Sequence, residues 1–265
     1  MLFRRRRRQR AARRPFPAAW LAILEGRFPY WARLLPAQRD ELQRHIRVFL
    51  AEKAFEGCAG LEITDEMRVL IAAQACLLLL GREARYYPTV STILVYPSAY
   101  IAQGRRVGPG GVVSEGGGAR LGEMAVGVTS PLAAGPIVLA WDSVVAGARD
   151  MHDGRNVVLH EFAHALDAEA GGVDGAPLLA DRSRYAAWAR VLGAEYHRLI
   201  RDIQLQSPGV LDPYGATSPA EFFAVTTEAF FERPHALRAR HPELYRQLAD
   251  FYRQDPAGGE PEPRP

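Results

Sequence analysis

Apolar residues at helical spacing punctuate residues 36–53, where Leu42, Ile46, Val48, Phe49 and Leu50 stand among Arg, Glu and Gln. That pattern predicts an amphipathic helix. A short apolar–polar alternation at Leu61-Glu62-Ile63 predicts a strand leading into Thr64-Asp65-Glu66, a helix start with acids in its first turn. The helix from there to Leu80 is apolar nearly all round and is expected at the centre of the core. Ser91 to Tyr96 is a β-branched strand ended by Pro97. Strands are expected at about 120–128 and 137–141. Helices follow around residues 157–170, 182–205, 219–232 and 241–253. Helices before and after a small sheet describe an α+β protein, with too few strand–helix alternations for a doubly wound fold.

Composition narrows the class. The 265 residues are 48% hydrophobic and 24% charged, which is ordinary for a water-soluble globular chain and ample for a core. Cys58 and Cys76 sit in apolar surroundings without metal spacing and read as reduced, which suits a cytoplasmic protein. The most apolar stretch, residues 67–80, is too short to span a bilayer and contains Arg68 and Gln74.

The net charge of +3 conceals an asymmetry. Arg4 to Arg8, Arg10, Arg13 and Arg14 contribute eight positive charges, so the remainder of the chain carries −5. Residues 1–17 are expected as a disordered Arg-rich arm; the sharper reading of it is contact with nucleic acid or an anionic membrane surface, and nucleic-acid binding is the weakest of the functions considered. Residues 18–256 read as a single domain and 257–265 as a disordered tail. The glycine-rich run 104–118 lacks a P-loop lysine and reads as a mobile surface loop.

The chemistry concentrates at His160-Glu161-Phe162-Ala163-His164. On a helix, residues four apart stack one turn above each other, so both imidazoles converge and Glu161 stands beside them. Two neutral imidazoles suit Zn2+, and the carboxylate suits a water held there. Asp153 and Asn156 are available N-caps, and Gly171-Gly172 stops the helix.

A catalytic zinc ordinarily takes a third protein ligand. Asp167 lies three residues past His164. Glu221 and Glu228 lie two turns apart on a helix otherwise rich in Phe, Ala and Val. Ser218-Pro219-Ala220-Glu221 is also a capping box, which would tie Glu221 back to the Ser218 backbone. On residue chemistry Glu221 leads, with Glu228 and Asp167 still open.

At these residues the chain resembles the Mlc titration factor A family of bacterial zinc peptidases. The resemblance runs through Ile93 to Pro97, Gly135 to Leu139 with Trp141, His160 to Asp167, Tyr214 to Phe231 and Phe251 to Pro256, covering roughly residues 34–256. The catalytic domain of anthrax lethal factor is similar in this arrangement. The resemblance implies a zincin-like metallopeptidase with a small mixed sheet packed against the HExxH helix and further helices on either side. It implies one Zn2+ held by His160, His164 and Glu221, with Glu161 as general base and Tyr214 stabilising the transition state. Asp167 and Glu228 become candidates to orient the imidazoles. It also implies aminopeptidase activity on a peptide or protein substrate, and binding of a transcriptional repressor of sugar uptake, which as an alternative would be the main role. The strand near Gly122 to Val128 is the expected substrate-binding edge.

Overall fold

The computed structural model describes residues 2–98, 105–107, 113–115 and 135–258. The strand expected at 120–128, with its proposed substrate edge, lies outside the described residues, as do residues 259–265 of the tail. Contacts divide the chain into two compact units, residues 1–76 with 88–149, and residues 77–87 with 150–265.

The first unit opens with helices α1 (Leu2–Ala12), α2 (Ala18–Arg27), α3 (Tyr30–Arg33) and α4 (Pro36–Glu52). The Arg-rich stretch, expected as a disordered arm, is therefore an ordered helix. Its order has a cause 44 residues away: Arg8 grips the carboxylate of Glu52 through Nε at 2.8 Å and Nη2 at 2.9 Å, and Arg4 joins at 3.3 Å. The helix expected at 36–53 is α4, whose entry is fixed by the Gln38 side chain accepting from the Leu35 N–H at 2.9 Å.

Strands β1 (Ala54–Gly57), β2 (Thr92–Tyr96) and, after residues 105–107 and 113–115, the strand Ile137–Ala140 form a three-stranded sheet, all parallel. Residues 105–107 (β3) and 113–115 (β4) pair as a short antiparallel ladder within the segment expected as loop, which makes Ile137–Ala140 β5. The strand expected at Leu61 to Ile63 is displaced upstream to β1, which registers Ala54 on Thr92 and Gly57 on Val95. Ala59 and Gly60 both take positive φ, and the turn brings the Leu61 carbonyl over Gly57, where any Cβ would collide with it. Helix α5 (Asp65–Leu77) is almost wholly buried, as expected, and α6 (Trp141–Arg149) follows β5 directly.

The second unit holds α7 (Val157–Asp167), α8 (Arg184–Gln204), α9 (Pro219–Glu232), α10 (Pro234–Arg240) and α11 (Pro242–Tyr252). Its core is aromatic. Trp188, Phe223 and Phe251 meet edge-on with ring centres 5.5–5.8 Å apart, and Phe230, Phe231 and Tyr252 form a second cluster. The segment 77–87 belongs here: the Leu77 carbonyl accepts from the Gln254 amide at 2.9 Å, and Tyr87 packs on Phe162 at 4.7 Å.

Candidate metal centre

Helix α7 begins where Asn156 places its side-chain oxygen on the N–H groups of Val158 and Leu159, at 3.1 and 3.0 Å. It passes through a short 3₁₀ turn and stops at Gly171, whose φ of 96° ends the helix. Every α7 residue except His160 is buried. Helix α9 starts from Ser218, whose hydroxyl accepts from the Glu221 N–H at 3.2 Å, with Pro219 in the first turn. The half-formed capping box leaves the Glu221 carboxylate free to point elsewhere. It points at the histidines.

Glu221 Oε2 lies 2.9 Å from His160 Nε2 and 3.3 Å from His164 Nε2, and the two Nε2 atoms are 3.2 Å apart. His160, His164 and Glu221 are a group of side chains able to hold a metal ion. Two facing imidazole nitrogens can share only one hydrogen bond, so a third party satisfies them better than they satisfy each other. Ligands about 2.0–2.1 Å from a tetrahedral zinc stand roughly 3.3 Å apart. The observed triangle fits that size.

Glu228, two turns along α9, takes the other side of His160: its Oε1 is 2.6 Å from Nδ1, and its Oε2 accepts from the Asn156 N–H at 2.6 Å. One carboxylate therefore orients the first imidazole and braces the start of α7. Burial works against a charged His160, but hydrogen bonds to Glu221 and Glu228 outweigh it and hold its pKa well above the ordinary value. Burial likewise opposes the Glu221 charge, yet the two imidazoles bring its pKa down to about 2. Glu161 is 1% exposed, and burial pushes its pKa up to about 7.

Asp167 behaves differently from Glu228. It is fully buried and accepts from the Gly175 N–H at 2.7 Å, while Nδ1 of His164 has no hydrogen-bond partner among the described residues. Asp167 thus holds the loop after α7 rather than an imidazole. That loop abuts the ligand-bearing helix: a Cβ on Gly175 would stand 2.5 Å from the Pro219 carbonyl oxygen.

Tyr214 sits on a 3₁₀ turn, Pro213–Ala216, capped by Asp212, whose side chain accepts from the Tyr214 N–H at 2.9 Å. Arg155, at the mouth of α7, grips the same Asp212 at 3.0 Å. The Tyr214 ring is 52% exposed and 6.0 Å from the His160 ring. Sequence reasoning named His160, His164 and Glu221, whose ligand atoms come together here, and Glu161 and Tyr214, which lie on α7 and on the turn before α9. It missed the Arg155–Asp212 tie and the Gly175 contact, which join residues 57 and 44 positions apart and leave no local pattern.

Two imidazoles and a carboxylate within reach of one ion, beside a buried acid, are an arrangement that metal-dependent peptidases use. The chain belongs to that class and to one family within it, the glucose-regulated metallo-peptidase M90 family, whose model matches residues 2–253. The match takes in α1, so the Arg-rich helix is part of the family region rather than an appendage outside residues 34–256. Similar proteins include slr2042 of Synechocystis sp., 42% identical over 94% of this chain and 89% of its own. The Mlc titration factors A of Serratia proteamaculans and Klebsiella pneumoniae are 34% and 31% identical, over 84% and 86% of this chain and 84% and 83% of theirs.

Proposed function

We propose that the protein is a cytoplasmic zinc peptidase of the gluzincin kind, with aminopeptidase activity, that holds one Zn2+ on His160, His164 and Glu221. The observation that carries this reading is the convergence of three ligand atoms within 3.3 Å, beside the buried Glu161, in a chain of a metallopeptidase family. A bound Zn2+ would polarise the attacking water and the scissile carbonyl.

The protein's own residues do the remainder. Glu228 accepts the Nδ1 proton of His160 and so leaves the Nε2 lone pair facing inward. Glu161, with a pKa near 7, accepts a proton from water at neutral pH and returns it to the leaving amine. Tyr214, exposed at the mouth, donates its phenol to the oxyanion that forms on the carbonyl oxygen.

Replacing Glu161 with Gln tests this. Peptide turnover should fall by about 10^2–10^4, the usual loss on removing a general base, with metal content and thermal melting retained. Full turnover in that variant would overturn the mechanism. The name Mlc titration factor A among the relatives supports a second role, sequestering a transcriptional repressor. The same variant separates the two roles, because a sequestering surface keeps its partner when hydrolysis is lost.

A further inference from the structure

Helix α1 is docked by one face and leaves the other bare. At 100° per residue, Arg4, Arg8 and Ala11 share the side facing α4, where Glu52 takes both arginines and Ala11 is 5% exposed. Arg6, Arg10 and Arg13 fall on the opposite side. The helical hydrogen bonding runs on past Ala12, from the Arg13 N–H to the Gln9 carbonyl at 3.2 Å, so Arg13 keeps that register.

Arg5, Arg6, Arg10, Arg13 and Arg14 are all exposed and have no acidic partner within ion-pair distance among the described residues. A shallow groove of about 480 Å³ runs along this side, lined by Arg6, Gln9, Arg10, Arg13, Arg14 and Pro15. Helix α4 fixes its far end. Arg47 donates to the Arg14 carbonyl at 2.5 Å and lies 5.9 Å over the Phe16 ring, with the charge of Arg44 close by.

Five unpaired guanidinium groups, three on α1 and two on the turn that ends it, repel one another, which costs stability unless an anion settles on them. All the cations of α1 are arginine, the side chain whose fork matches phosphate oxygens in pairs. Among the described side chains on this side only the Gln9 amide could read a base edge, which disfavours sequence-specific contact with nucleic acid. Two aromatics stand at the end of the basic face: Phe16 and Trp20, both half-buried, meet edge-on at 5.8 Å. A basic face bordered by Trp and Phe is the composition of a surface that rests at the headgroup level of a bilayer. No described helix is long and apolar enough to cross one.

We propose that the outer face of α1 docks the protein on an anionic phospholipid surface through Arg6, Arg10 and Arg13, flanked by Arg5 and Arg14. The remaining chain carries −5, so the excess positive charge of the protein is concentrated in this segment.

Co-sedimentation of the full chain with vesicles of equal phosphatidylglycerol and phosphatidylcholine, against phosphatidylcholine alone, tests the proposal. The wild type should pellet with the anionic vesicles at 50 mM salt and be released at 500 mM. Each single change of Arg6, Arg10 or Arg13 to Gln should weaken partition about fivefold, and the triple variant about 100-fold. Helix content and peptide turnover should stay as in wild type, and a change of Arg190, exposed on α8, to Gln should leave binding as in wild type. The proposal is overturned if the triple variant pellets like wild type or if wild type ignores anionic vesicles. It is equally overturned if duplex DNA binds more tightly than the vesicles with the same dependence on these arginines.

Discussion

Glu232 shows how one buried side chain can set the pH range of the whole protein. It lies one turn beyond Glu228 on α9, is fully buried, and neither carboxyl oxygen makes a hydrogen bond of good geometry. Burial pushes its pKa up to about 9, so it folds as the neutral acid. The unfolded chain ionises it near the ordinary value of 4.5, hence between those two values the folded state binds the extra proton. The stability this group contributes is complete below pH 4.5 and is lost as pH rises toward 9, at up to about 1.4 kcal/mol per unit. Glu232→Gln keeps the shape and removes the ionisation. Urea unfolding at pH 5.5 and 8.5 should show the variant losing less stability than wild type over that interval. Equal losses would mean that Glu232 does not carry the proton.

At the scale of elements, the separation of α7 and α9 decides whether three ligands meet. The clamp between them is the loop after α7: Asp167 accepts the Gly175 N–H, Trp188 donates to the Gly175 carbonyl at 2.9 Å, and Gly175 rests against the Pro219 backbone. Gly175→Ala forces a left-handed residue with a Cβ into that carbonyl, at a cost of roughly 2–5 kcal/mol. It should also shift the start of α9 and lower metal affinity in a chelator competition. Gly171→Ala is the matched control, since its φ is 96° but a Cβ there meets nothing within 4 Å. It should lose stability and keep the metal. If both variants lose metal alike, the clamp does not set the site. The contrast explains what was legible in the sequence. His160 and His164 announce themselves because a helix turn brings i and i+4 together, and α4, α8 and α9 follow from period and caps. The Gly175 contact and the Glu52 anchor of α1 are products of tertiary packing, as is the choice of Glu228 over Asp167 as the carboxylate that takes an imidazole. A run of arginines read alone predicts disorder, because its counter-ion stands 44 residues downstream.

For the whole molecule, the question is how far metal binding reaches. All five proposed site residues belong to the second unit, on α7, α9 and the turn before α9, while the parallel sheet belongs to the first. A ligand that binds only the folded state adds about 4 kcal/mol when present at a thousand times its Kd. Zinc should therefore raise the melting temperature and a chelator should reverse it. The distribution of that gain follows from the hydrogen bonds between α7 and α9. Asn156, Glu228 and the two imidazoles link the start of α7 to the middle of α9 in one hydrogen-bonded chain, so fixing the ligands stiffens both helices. Hydrogen exchange with and without zinc should show the largest added protection at the amides of residues 157–167 and 219–232. The loop around Gly175, held by the Asp167 carboxylate, should gain protection with them. A rise in melting temperature without added protection on α7 and α9 would place the metal elsewhere in the chain, and the ligand assignment would fall with it.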